Sequence, residues 1–239
     1  MRRFSNLLVP RRLTMSGHVL KNYARFLVIE SNDTPNPECL RFFSMELSFL
    51  PPGLTLDFPN EGHSYKSPLA TVLFSIDGVK AVYFADEYLT VTKIETEDWI
   101  KLTPLVSEAI SSFAGTNQNI LSEDIQSELL TSSNKDTEPG PQDTEVVLAV
   151  KELIATRIRP MVRGDGGNVR YIGMEEDGSV YVLLEGACKS CPSSGATLKN
   201  GIERMLMHWI PEVTEVMEVD EDFAFDFVRK EKEKSAPIK

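Results

Sequence analysis

Ser179-Val-Tyr-Val-Leu-Leu-Glu-Gly-Ala-Cys-Lys-Ser-Cys-Pro-Ser-Ser194 decides how the second half of this 239-residue chain is built. Ser179–Glu185 alternates as a strand, with Val180, Val182 and Leu184 on one face and Tyr181 and Leu183 on the other. Upstream, Asp177-Gly178 joins it to Val169–Met174, a strong hairpin signal. Downstream, Gly195–Trp209 reads as a helix with Leu198, Ile202, Met205 and Trp209 on one face, stopped by Pro211. Cys188 and Cys191 therefore sit on a strand-to-helix loop, with Ser193 or Ser194 to cap the helix.

That placement is chemically pointed. The i, i+3 spacing lets two sulfurs reach one small centre. The open amides and positive end of a helix favour thiolate over thiol, and Lys189 adds positive charge. A zinc or iron–sulfur site takes four protein ligands, and this half of the chain offers two cysteines and His208. His208 lies roughly two dozen ångström along the helix at 1.5 Å per residue. Cys39, the third cysteine, lies far away among apolar neighbours and reads as a small buried residue. One chain cannot close the site, but two such loops facing each other across a twofold axis supply four thiolates, a full shell for one [4Fe–4S] cluster per dimer. Two other readings stay open on these residues. One is a thioredoxin-like dithiol/disulfide oxidoreductase using Cys188 and Cys191; the other is half of a structural zinc site.

Working outward, Asp143 reads as the N-cap of a helix carrying Val147, Val150, Ile154 and Ile158, closed by Pro160. Arg163–Asn168 reads as a turn, and Val213–Val219 as a final strand. Residues 116–142 include Thr131–Pro141, which holds no large apolar residue, and read as a flexible linker. Before it, Leu27, Ile29 and Leu40–Leu47 have β composition, with residues 31–37 as a loop. Ser67-Pro68 opens a helix with Leu69, Leu73 and Ile76 inward. Val79–Phe84 and Tyr88–Lys93 make a hairpin, and Trp99–Phe113 a second helix. The fold class is α+β: two small α+β domains joined by a flexible linker. Residues 26–115 form the first domain and 143–220 the second. Residues 221–239, with Arg229–Lys234 charged, read as a solvated tail.

The chain has 25 Lys+Arg against 36 Asp+Glu, a net charge of −11. That balance argues against general nucleic-acid binding, and no apolar run is long enough to span a membrane. Three cysteines cannot build a disulfide framework, which fits a reducing compartment. The charge is uneven. Residues 1–29 carry six basic residues and no acid, leaving −17 on the rest. Residues 1–25 fit a mitochondrial transit peptide, the other reading being a basic N-terminal tail.

Ile158-Arg-Pro-Met-Val-Arg-Gly-Asp-Gly-Gly-Asn168, Gly186–Ser194 and Thr197-Leu-Lys-Asn-Gly-Ile-Glu203 together resemble the NifU C-terminal domain. Thr34-Pro-Asn-Pro-Glu-Cys-Leu-Arg-Phe42, Leu73–Val79 and Ile94–Trp99 resemble the Nfu N-terminal domain. With the basic presequence, the chain resembles mitochondrial Nfu-type iron–sulfur scaffold proteins from about Phe26 to Val219. The resemblance implies a non-enzymatic carrier in the mitochondrial matrix, with Cys188 and Cys191 binding a [4Fe–4S] cluster bridged between two chains. It also implies a homodimer, or a higher even oligomer, as the cluster-bound form. Upstream assembly factors would load it, and apo-proteins such as lipoyl synthase and respiratory enzymes would receive the cluster.

Overall fold

The computed structural model describes residues 27–125, 135–189 and 192–235. The transit-peptide reading of residues 1–25, Cys191, and the middle of the expected linker lie outside these. Two sheets, each with its own core, organise the rest.

The first sheet is antiparallel, with strands β1 (Glu30–Asp33), β2 (Cys39–Phe43), β3 (Leu56–Phe58), β4 (Val79–Phe84) and β5 (Tyr88–Lys93) in the order β1-β2-β5-β4-β3. Residues 31–33, expected in a loop, pair instead with β2, Ser31 opposite Phe42 and Asp33 opposite Leu40. Their polarity hid them: β1 is an exposed edge, where side chains need not be apolar. Helix α1 (Pro68–Phe74) starts as expected, with the Ser67 hydroxyl accepting from the Ala70 amide at 3.1 Å and proline at its first position. Helix α2 (Trp99–Ala114) buries Leu102, Val106, Ile110 and Phe113. The core is rich in aromatics: Phe42, Phe58 and Phe84 are fully buried, and the Phe58 and Phe84 rings lie 5.0 Å apart. Cys39 is buried in this unit, as the sequence suggested, with its sulfur 3.2 Å from the Thr92 hydroxyl.

The second sheet has three strands, β6 (Gly167–Met174), β7 (Ser179–Gly186) and β8 (Glu215–Glu218). The hairpin turns at Gly178, whose φ is +93°, and β8 runs parallel to β7. Helix α3 (Glu145–Leu153) is capped by Thr144, not Asp143. Asp143 accepts from the Gly140 amide and pairs with Lys151 at 2.6 Å, so its carboxylate is already engaged. Pro160 does not end this helix. A π-helical turn (Ile154–Ile158) intervenes, and Pro160 lies in the first turn of α4 (Arg159–Gly164). There a proline costs little, because the first helical amides have no intrahelical acceptor. Among the described side chains of α5 (Pro192–Trp209), Ile202 and Leu206 are buried, and Trp209 is exposed rather than on the core face.

Two further expectations are corrected. The described ends of residues 116–142 are held in place. Leu121 joins the first core, while Asp136 pairs with Arg159 and accepts the Tyr171 amide. A buried ion pair that also caps a strand amide anchors a segment whose composition alone reads as tether. The C-terminal segment forms α6 (Glu221–Ser235). Its Phe223 and Phe227 rings lie 5.1 and 5.2 Å from that of Tyr181, on the sheet face opposite the core. Gly173 makes room for this helix, since a Cβ there would fall 2.1 Å from the Phe227 ring. The charges of Arg229–Lys234 masked an aromatic stripe at i and i+4.

Candidate functional site

The end of β7 and the start of β6 build the site together. Gly167 pairs with Gly186 across the hairpin, so both strands meet on glycines at this end of the ladder. Gly166 (φ +84°) and Gly186 (φ +65°) adopt left-handed backbone, which turns the chain sharply on either side. The Ala187 amide donates to the Gly166 carbonyl at 3.3 Å, and the Lys189 amide to that of Gly186 at 3.2 Å. This places Cys188 over the hairpin end, four residues ahead of α5.

Cys188 is 5% exposed and packs with the second core. A Cβ on Gly167 would lie 2.5 Å from the Cys188 sulfur, so the glycine is what lets the thiol lie against the ladder. Beside it is a cavity of about 260 Å³ lined by Pro35, Asn36, Met161, Ala187, Leu198 and Gly201, among others. The cavity draws walls from both units and opens on the cysteine.

Charge surrounds the loop. Lys189 Nζ lies 3.3 Å from an Asp57 carboxylate oxygen of the first unit. Burial pushes the Asp57 carboxyl up, and Lys189 opposes that rise. Glu185, three residues before Cys188, is buried, and burial raises its carboxyl too. It accepts from Asn168 Nδ2 at 2.9 Å, from Arg170 at 3.3 Å and from the Thr55 hydroxyl at 3.2 Å. Tyr88 donates its hydroxyl to the Gly167 carbonyl at 3.1 Å, and burial pushes its phenol up to about 12, so it stays a donor.

Cys188 thus stands where the sequence placed it, on the strand-to-helix loop. Cys39 is not brought to the site, and His208 lies at the far end of α5, with its ring against Trp209. The reading from sequence missed Asn36, Asp57, Tyr88, Thr90 and Glu185. One signal was available: Glu185 is the only charged residue in the otherwise apolar run Val180–Glu185. The others approach from the first unit, and no local pattern announces such a contact.

Comparison with known proteins separates the two units in the same way. Residues 29–117 match the family described as scaffold protein Nfu/NifU N terminal, and residues 150–217 match the NifU-like domain. The chain is 40% identical over 220 residues to a Drosophila ananassae protein named NFU1 iron-sulfur cluster scaffold homolog, mitochondrial, covering 92% of this chain and 70% of the relative. To the protein of the same name from Drosophila sechellia it is 41% identical over 195 residues, covering 82% of this chain and 66% of that one. It is also similar to the solution structure of a NifU-like protein from Saccharomyces cerevisiae, at 19% identity and a TM-score of 0.36 over 52% of this chain and 99% of that one.

Proposed function

Because this chain belongs to the family of NFU1 iron-sulfur cluster scaffold proteins, we propose that it carries iron–sulfur clusters in mitochondria and hands them to apo-proteins. Two chains hold one [4Fe–4S] cluster through Cys188 and Cys191 of each. The cluster is cargo rather than a resident catalyst, and the chain performs no bond-making reaction on a client. The observation that supports this best is the distribution of thiols. Two cysteines share one loop, and the third is committed to Thr92 in another core. A four-thiolate shell then needs a second copy of the loop.

Such a site suits delivery. Two ligands per chain hold more weakly than four from one rigid fold, because the shell also depends on association. An incoming client thiolate can replace one sulfur at a time once the loop is exposed. Lys189 offsets the negative charge gathered on the thiolates. The mitochondrial matrix is the compartment in which we place this role, supported by the naming of the relatives and the basic, acid-free first 29 residues.

Anaerobic reconstitution with iron and sulfide tests the reading. The expected product is a brown dimer with about four irons per two chains, measured by metal analysis and native mass. An iron-free monomer that reduces disulfides would overturn it in favour of a dithiol oxidoreductase.

A further inference from the structure

Both chain neighbours of Cys188 are tied to the first unit. Asn36, itself buried, donates its Nδ2 to the Ala187 carbonyl at 3.3 Å, and Asp57 holds Lys189 at 3.3 Å. The glycine turn behind the cysteine is gripped from the same side. Thr90 donates its hydroxyl to the Gly166 carbonyl at 2.7 Å, Tyr88 donates to Gly167, and Asp86 pairs with Arg163. The fit is close: a Cβ on Gly186 would lie 2.9 Å from the Tyr83 ring, and one on Gly166 would lie 3.1 Å from the Thr90 hydroxyl. The glycines of the second unit therefore serve a second purpose beyond their backbone angles. They leave the two turns bare enough for the first unit to seat on them.

We propose that the sheet face carrying Tyr83, Tyr88 and Thr90, flanked by Asn36, Asp57 and Asp86, is a recognition surface for the paired glycine turns of a NifU-like domain, and that in the cluster-free chain it acts as a removable cap on Cys188. The thiol is turned toward Gly167, and reaching a ligand shared with a second chain requires the loop to swing outward. Pinning Ala187 on one side and Lys189 on the other opposes that swing. The contact is also built to open. Beside the packing of the buried Tyr83 ring on Gly186, it includes hydrogen bonds and ion pairs that water can replace, as in reversible interdomain contacts. Among the described residues, the side-chain oxygen of Asn168 is buried without a hydrogen-bond partner, and opening restores water to it. Loading the cluster then begins with undocking; this last step alone rests on the carrier reading.

The test uses the full-length, reduced, cluster-free chain and needs no iron, so it can fail independently of that reading. The rate of N-ethylmaleimide addition at Cys188 is followed by peptide mass spectrometry, with buried Cys39 as the internal reference. Asp86→Arg and Arg163→Asp should each raise the Cys188 rate by about tenfold, because labelling of a covered thiol follows the population of the open form. The double exchange should return the rate to within about twofold of the parent, as a restored pair does in a double-mutant cycle. Thr90→Val and Asp57→Asn disturb neither core and should act in the same direction. Should a charge reversal unfold the first sheet, these two decide the outcome. Rates unchanged in all the single variants, or a parent Cys188 that labels as fast as an unprotected thiol, would overturn the proposal.

Discussion

The first sheet is closed by large aromatic side chains and keeps its one cysteine inside, whereas the second is packed with aliphatic residues and ends in glycines and a cysteine loop. Phe42, Phe49, Phe58 and Phe84 give the first unit a broad apolar interior behind five strands. The second unit spreads Val150, Ile154, Val169, Val180 and Ile202 behind three strands, and commits Glu185, Asn168 and Arg159 to buried polar contacts. The difference teaches how the chain divides its work. A rigid face can grip backbone carbonyls accurately, while a small unit with glycines at its hairpin end can let a loop move. The cysteine loop lies on the second unit, and the first unit holds both chain neighbours of Cys188 through Asn36 and Asp57.

The comparison is tested most severely at the cysteines. Cys188→Ser or Cys191→Ser should abolish retention of iron after reconstitution, while Cys39→Ser should leave the iron content unchanged; metal analysis of the three proteins decides. A Cys39 variant that loses its iron would break the division between the units. Next in size, Phe84→Ala should cost about 3–5 kcal/mol in urea unfolding of the first unit, through lost burial plus the cavity left behind. At Gly167, alanine would bring a Cβ against the Cys188 sulfur and the Glu185 carbonyl, both 2.5 Å away. Gly167→Ala should cost about 1–3 kcal/mol by overpacking, read as a lower unfolding midpoint, and faster labelling of Cys188 should accompany it. Phe227→Ala, on the partly exposed side of α6, should cost about 1 kcal/mol and leave iron binding intact.

The smallest effect is in the pH dependence. Burial raises the Glu185 carboxyl above its ordinary 4.5, against the lowering effect of Arg170 and Asn168 and with help from Asp57 and Glu221. The folded state therefore favours the protonated form. Its contribution is complete below the unfolded carboxyl value and is lost as pH rises through the raised folded value. Glu185→Gln removes this titration and keeps a hydrogen-bonding group. Its unfolding midpoint should fall less than the parent's between about pH 4.5 and 8, a range starting near the ordinary carboxyl value. An unchanged pH profile would show that Glu185 is ionised at no cost in the fold.

Much of the fold is legible in the chain because its signals are local. Ser67-Pro68 starts a helix by capping and by a preset φ, and Asp177-Gly178 turns a hairpin because glycine tolerates positive φ. The misses share a cause. Asp136 looks like a linker residue until Arg159 arrives from 23 positions away. Phe223 and Phe227 look like stray aromatics in a charged tail until Tyr181 offers a surface. Pro160 reads as a stop because the π-turn before it leaves no local mark.

The sequence by itself determined the α+β class, the strand–loop–helix carrying Cys188 and the placing of two of the three cysteines on one loop. All of these follow from spacing along the backbone. Only the tertiary structure decided that Cys188 faces Gly167, that Ala187 and Lys189 are held by Asn36 and Asp57, and that the two units meet over the cysteine loop. The contacts of Asn36 with Ala187 and of Asp57 with Lys189 join residues more than a hundred positions apart, and their stability depends on burial and geometry that no local pattern encodes.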